Sequence, residues 1–176
     1  VAVGNLVKLK GHESLVRSFA RVHATIPDAH LLIVGSGPEQ ASVMALAEGL
    51  GLAGHVHLPG RIPDAWKLLA AGDVQCHPSI FEGLPVALME GAALGMPAVV
   101  TDTPGMREFA QTVDDITVVP VGDGDALATA LADKLGAAQP LQDCFGDRGE
   151  APSYWDITRY AREMNEFVAG FQAGAA

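Results

Sequence analysis

Leu31-Leu32-Ile33-Val34-Gly35-Ser36-Gly37-Pro38 is the stretch on which the reading of the fold turns. Its four apolar residues form an unbroken run, the pattern of a strand covered on both faces, where alternation would mark one wet face. Gly35, Ser36 and Gly37 end the run, and a helix-type segment follows over residues 38–50, stopped by Gly51. A buried strand passing through a glycine loop into a helix is the repeating unit of a parallel sheet.

The same unit recurs on either side. Strand-type runs fall at residues 1–3, 56–58, 74–77, 98–101 and 117–119, and helix-type segments at 14–25, 65–71, 85–94, 106–111 and 125–135. In the first helix Leu15, Phe19 and Val22 share a face that excludes Arg17 and Arg21. The alternation predicts an α/β fold, a doubly wound, Rossmann-like parallel sheet of about six strands over residues 1–136. Residues 137–152 are polar and read as a surface connection. Residues 153–176 read as a closing helix and tail, whose stripe of Tyr154, Trp155, Ile157, Tyr160, Met164, Phe167 and Val168 packs on its own domain or covers a partner domain. Val1-Ala2-Val3-Gly4 resembles the end of a strand entering a glycine loop, which predicts a piece of a longer chain; a natural short protein is the alternative.

Composition narrows the function. With 176 residues, 49% of them hydrophobic, the chain suffices for one α/β domain with its own core. A net charge of −10 argues against a nucleic-acid partner, which needs a basic face. The two cysteines, Cys76 in an apolar run and Cys144 in a polar one, form no metal-ligand spacing and no secreted scaffold. No run is long and apolar enough for a membrane span, and no signal peptide opens the sequence. The expectation is a soluble protein of the cytoplasm.

In such a sheet ligands bind beyond the carboxyl ends of the strands. The glycine loops Gly4-Asn5, Gly35-Ser36-Gly37 and Gly60-Arg61 all fall there. The position six residues into the Gly35 loop is Gln40, so the dinucleotide fingerprint fails, and no GxxxxGK[ST] loop exists. An NAD enzyme and a P-loop ATPase are disfavoured. More distinctive is Phe81-Glu82-Gly83-Leu84-Pro85-Val86-Ala87-Leu88-Met89-Glu90-Gly91-Ala92-Ala93-Leu94-Gly95. After Pro85 it reads as a helix apolar all round, hence buried, with Glu90 in its middle. A buried carboxylate costs several kcal/mol unless it is paired or hydrogen-bonded. Helical side chains lean towards the N-terminus, so Glu90 points to the ligand end, and Glu82 lies in the loop before it. Two carboxylates there suit the hydroxyls of a sugar or ribose; the plain alternative pairs Glu90 with Arg107 and leaves Glu82 solvated.

Glu82-x7-Glu90 within Phe-Glu-Gly-Leu-Pro-x-x-Leu-Met-Glu, followed by Gly95-Met-Pro-Ala-Val-Val, resembles the signature of glycosyltransferase family 4, the group 1 glycosyl transferases. The likeness continues through Gly4-Asn5-Leu6 to Lys10-Gly11, Leu32-Ile-Val-Gly-Ser-Gly-Pro, Val56-x-Leu-x-Gly60, Ala70-x-x-Asp73, Pro78-Ser79 and Trp155-Asp-Ile-x-x-Tyr160, in that family's order. It implies the C-terminal, donor-binding half of a GT-B architecture. The intact enzyme would be a retaining transferase of the hexosyltransferase type, in polysaccharide or glycolipid biosynthesis, moving sugar from a UDP-, GDP- or ADP-sugar to an acceptor hydroxyl. It would need no cofactor and no metal. The acceptor site, and any peripheral membrane contact, would belong to an N-terminal domain outside this chain, leaving the chain alone inactive.

The resemblance also implies roles. Lys10 would contact the donor diphosphate, Glu90 the ribose, and Glu82 the sugar, with backbone N–H groups of Gly83, Leu84 and Val86 nearby. Gly4, Gly35 and Gly37 would line the nucleotide pocket, with Arg61 and Ile62 at the base. Lys10 and Glu82 would be the catalytic pair. Three departures stand out. Asn5 occupies the place of a phosphate-binding arginine, whose bidentate charge an amide cannot replace, although Lys8 is close. Pro85 replaces a glycine and removes an N–H donor. Residues 114–121 lack the usual glycine before the last strand. His77 ends a strand at the ligand edge and reads as a satisfied structural histidine, His12 as a solvated one, and His55 and His57 as a pair without a third metal ligand. Two other readings follow from the departures and the architecture: a degenerate sugar-nucleotide-binding or scaffold module, and a sugar-nucleotide epimerase, for which no paired acid and base are evident.

Overall fold

The computed structural model describes residues 1–137. Strands β1 (Ala2–Val3), β2 (Leu31–Val34), β3 (Val56–Gly60), β4 (Gln75–His77), β5 (Ala98–Thr101) and β6 (Ile116–Val119) alternate with helices. These are α1 (His12–Thr25), α2 (Gln40–Gly49), α3 (Trp66–Leu69), α4 (Val86–Ala93), α5 (Pro104–Ala110) and α6 (Gly124–Ala137), and a short 3-10 turn spans Lys8–Lys10. The expected closing helix lies outside the described residues, as do the connection beyond Ala137 and Cys144.

Parallel pairing builds two three-stranded sheets, β1-β2-β3 and β4-β5-β6. Their first strands lie side by side: the Cys76 N–H donates to the Val1 carbonyl at 2.9 Å, and the Val1 nitrogen to the Val74 carbonyl at 2.7 Å. The spatial order is therefore 3-2-1-4-5-6, the doubly wound order whose direction reverses between β1 and β4. Every residue of β4 and β5 is buried, whereas β3 alternates and β6 is half-open, as edge strands should be. Helix α1 packs on α2 and α6, while α4 lies against α3, β4 and β5, and α5 against β5 and β6. Leu15, Phe19, Val22, Ile33, Val99, Leu127 and Leu131 belong to one apolar core.

One expectation about the helices needs correction. Helix α4 is not buried all round: Leu88 and Met89 face inward, but Val86 is 58% exposed and Glu90 only half-buried. Valine, alanine and glycine make the segment look uniformly oily, yet only the side facing β4 and β5 is covered. The glycine missing before the last strand is replaced in kind by Asp115, which takes a left-handed φ of 65° and pairs with Lys134.

Candidate functional site

The carboxyl ends of β1, β2 and β3 are joined by backbone bonds between their loops. Gly4 N–H donates to the Val34 carbonyl at 2.9 Å, Leu6 N–H to Ser36 at 3.0 Å, Glu39 N–H to Leu6 at 3.0 Å and Gly35 N–H to Gly60 at 2.9 Å. This close approach is what the Gly35-Ser36-Gly37 sequence serves. A Cβ on Gly35 would lie 1.8 Å from the Gly4 carbonyl oxygen, and one on Gly37 2.3 Å from that of Leu6.

Across the β1–β4 seam a second set of contacts brings two loops into register. Ile80 N–H donates to the Leu9 carbonyl at 2.8 Å, and Gly11 presses so closely on Pro78 that a Cβ would sit 2.1 Å from its carbonyl oxygen. Gly11 also has a φ of 68°, which glycine adopts without strain. The result places Lys10 against Glu82: Nζ forms an ion pair with Oε1, the two side chains being 24% and 14% exposed. Gly4 lies beside the Lys10 stem. Glu82 is thus ion-paired, not merely solvated.

Glu82 has a second partner that the sequence reading missed. Ser79, 1% exposed, donates from Oγ to Glu82 Oε2 at 2.6 Å. The Ser79 carbonyl in turn accepts from Thr101 Oγ1 at 2.5 Å, and that hydroxyl also reaches the His77 carbonyl at 3.2 Å. The Ser79-x-x-Glu82 spacing was the available signal; Thr101, on the next strand, had none.

Glu90 sits on α4, whose first turn follows the Gly83-Leu84-Pro85 loop. Pro85 is the residue before the helix and its backbone is extended, so Val86 and Ala87 begin α4 with no side-chain cap. The alternative partner for Glu90 is not realised: the Arg107 Nε donates to Asp102 at 2.5 Å instead. Burial raises the Glu90 carboxyl above its ordinary pKa. Gly83 and Leu84 touch Gly105 of α5 so closely that a Cβ there would lie 2.5 Å from the Gly83 carbonyl. Arg61 and Ile62 follow β3 at the outer edge, with Arg61 exposed. Asn5 is exposed too, and its carbonyl faces His12.

The histidines divide in two. His77 is buried, its Nε2 3.1 Å from Gln75 Oε1, and burial with help from the Lys10 charge lowers its pKa to about 3. His12 is 5% exposed, which overturns its reading as solvated, because α1 starts beneath the loop. Its Nε2 lies 3.3 Å from the Asn5 carbonyl, and burial lowers its pKa. At the opposite end of the sheet the fold adds neighbours to His55 and His57: His30 stacks on His55, His23 meets it with the rings tilted, and His30 Nδ1 is 3.0 Å from His57 Nε2. Among the described residues no group of three or more His, Cys, Asp or Glu side chains is arranged to hold a metal ion. No described helix is long and apolar enough to cross a membrane.

Comparison with known proteins bears on the family and the fold. Residues 1–150 match the family of glycosyl transferases group 1. A GDP-mannose-dependent alpha-(1-6)-phosphatidylinositol monomannoside mannosyltransferase of Mycolicibacterium smegmatis is 34% identical over 97% of this chain and 47% of its own length. The lipopolysaccharide core biosynthesis glycosyltransferase LpsE of Rhizobium meliloti is 29% identical over 92% of this chain and 46% of its own. Among solved structures, WaaG, a glycosyltransferase involved in lipopolysaccharide biosynthesis, superposes with a TM-score of 0.70 at 24% identity, over 77% of this chain and 37% of that one. The fold is thus the one found in GT-B glycosyltransferases. The chain spans less than half the length of these relatives. A family match over most of the sequence, carried on a doubly wound sheet with its polar pair at the strand reversal, means that this chain belongs to the glycosyl transferases group 1 family.

Proposed function

We propose that this chain is the C-terminal, donor-binding domain of a retaining, family 4 glycosyltransferase of the cytoplasm. The observation that carries the reading is the meeting of Lys10 and Glu82 across the β1–β4 seam, with Glu90 on the helix that begins at the same loop. That seam is where doubly wound sheets hold their ligands. The relatives point the same way, one of them being a GDP-mannose-dependent mannosyltransferase.

The donor would be a nucleoside diphosphate sugar, with no resident cofactor or metal. Lys10 supplies charge to the diphosphate, and the uncapped N–H groups at the start of α4 add to it. Charge grows on the departing diphosphate during transfer, so these groups stabilise the transition state more than the bound donor. Glu90, in no ion pair among the described residues, accepts the ribose hydroxyls, and Glu82 with the Gly83–Val86 backbone fixes the sugar. Gly4, Gly35 and Gly37 keep the floor of the pocket low, with Ile62 and Arg61 at its outer edge. The acceptor site belongs to an N-terminal domain, as does any peripheral membrane contact, so the 176-residue chain binds donor without transferring sugar.

Calorimetric titration of the chain with UDP, GDP and ADP tests this directly. One of the three should bind, and Glu90→Ala should weaken that nucleotide and its nucleoside alike. An unchanged affinity in Glu90→Ala removes the ribose role, and sugar transfer by the purified chain removes the division of labour.

A further inference from the structure

We infer that the ligand-free site stores Glu82 as the counter-ion of Lys10, with Ser79 as positioning residue, and that a diphosphate enters by taking Lys10 over from Glu82. The inference rests on the donor-binding reading and adds a sequence of events to it.

Both oxygens of Glu82 are engaged: Oε1 by the Lys10 ammonium and Oε2 by the Ser79 hydroxyl at 2.6 Å. Neither contact is an accident of two long side chains meeting in solvent. Ser79 is 1% exposed, and its own carbonyl is held by Thr101 Oγ1 at 2.5 Å. The Lys10 turn is locked to the same segment through Ile80 and Leu9 at 2.8 Å and through the close Gly11–Pro78 approach. The two loops are therefore registered by backbone contacts that do not depend on the ion pair.

Such a pair has a chemical consequence. A diphosphate carries more negative charge than one carboxylate and competes well for the lysine, but it must first displace Glu82. Once displaced, Glu82 offers Oε1 as an acceptor. A carboxylate is acceptor-only, so hydroxyl groups of a sugar are what it can then take. Diphosphate binding thus precedes, and permits, the sugar contact. A free sugar, or a nucleoside without phosphates, leaves the pair closed.

The test uses the whole chain, its Glu82→Gln and Ser79→Ala variants, and UDP, GDP, ADP and the matching nucleosides as probes in calorimetry. Glu82→Gln should bind the preferred diphosphate about fivefold more tightly, the scale of a partly exposed ion pair lost from the competing state. Ser79→Ala leaves the charge unchanged but loosens the stored pair, so it should tighten the same diphosphate by about twofold. Neither variant should alter nucleoside affinity. A gain in Glu82→Gln with none in Ser79→Ala overturns the exchange and leaves plain charge repulsion. No gain in either variant, with the parent chain binding normally, also overturns it. Failure of all three proteins to bind any diphosphate overturns the donor-binding reading, and this inference with it.

Discussion

Gly91→Ala sets two physical effects against each other at the base of the site. In the interior of an exposed helix the change stabilises by about 1 kcal/mol, because alanine loses less backbone entropy than glycine. Gly91 lies in α4, but a Cβ there would sit 2.3 to 2.4 Å from Nε2, Cδ and Oε1 of Gln75, a residue with no exposed surface. The Gln75 amide would have to move. It lies 3.5 Å from both the Leu88 and Met96 carbonyls and 3.1 Å from His77 Nε2, so moving it loosens α4 from β4 and unpairs a buried imidazole. Overpacking costs about 1–3 kcal/mol and an unsatisfied buried polar group about as much again, so the clash wins. The expected net effect is a destabilisation of about 2 kcal/mol, read as a lower urea midpoint. In a Gln75→Ala background the clash is gone, and the same Gly91→Ala change should be neutral or stabilise by up to about 1 kcal/mol. A Gly91→Ala chain more stable than its parent would refute the idea that the Gln75 amide fixes the height of α4, and Glu90 with it, above the sheet.

Gly105→Ala drives a Cβ into the Gly83 backbone at 2.5 Å, and should lower affinity for the sugar nucleotide by about tenfold while leaving the nucleoside alone, as calorimetry would show. Glu90→Gln should stabilise the ligand-free chain at pH 7: burial raises the folded pKa, so the parent loses stability as pH climbs from 4.5 through that raised value, and glutamine does not. The gain should vanish at pH 4 in urea titrations. For His77 the sign is opposite. Its folded pKa of about 3 means that stability is full above pH 6.5 and falls by up to about 1.4 kcal/mol per pH unit below it, a slope that His77→Gln should reduce by as much as one proton. Burial pushes the Cys76 thiol to about 12, so in a Cys144→Ser chain a disulfide reagent at pH 8 should react only after unfolding.

Local sequence made most of the scaffold legible, because strand, glycine loop and helix each leave a mark within a few residues. Among the described residues, the six strand runs and six helices fall within two or three residues of their expected bounds. What sequence could not show was exposure and partnership. Helix α4 looked buried because valine, alanine and glycine are apolar, but small apolar residues tolerate solvent on a flank. His12 looked solvated because it follows a polar loop, yet the fold tucks the start of α1 beneath that loop. The Lys10–Glu82 pair joins residues 72 apart, and its alignment depends on Gly11 meeting Pro78 and on Thr101 holding Ser79, contacts between separate loops and strands. Periodicity carries no information about such meetings.

The departures from the family pattern can be weighed on the same grounds. The walls of the candidate pocket are held by main-chain bonds: Leu6 to Ser36, Gly35 to Gly60, Ile80 to Leu9. None of them uses the Asn5 side chain, which is exposed, or the N–H that proline lacks at residue 85, which precedes α4 in an extended conformation. Substitution at either place therefore leaves the frame intact and acts on ligand charge and hydrogen bonding alone. Restoring an arginine at residue 5 would add a second cation beside Lys10 without any strut to disturb, so it should strengthen diphosphate binding with little change in the urea midpoint. Coupled loss of stability in that variant would mean that the loop's shape, and not only its charge, has adapted to asparagine.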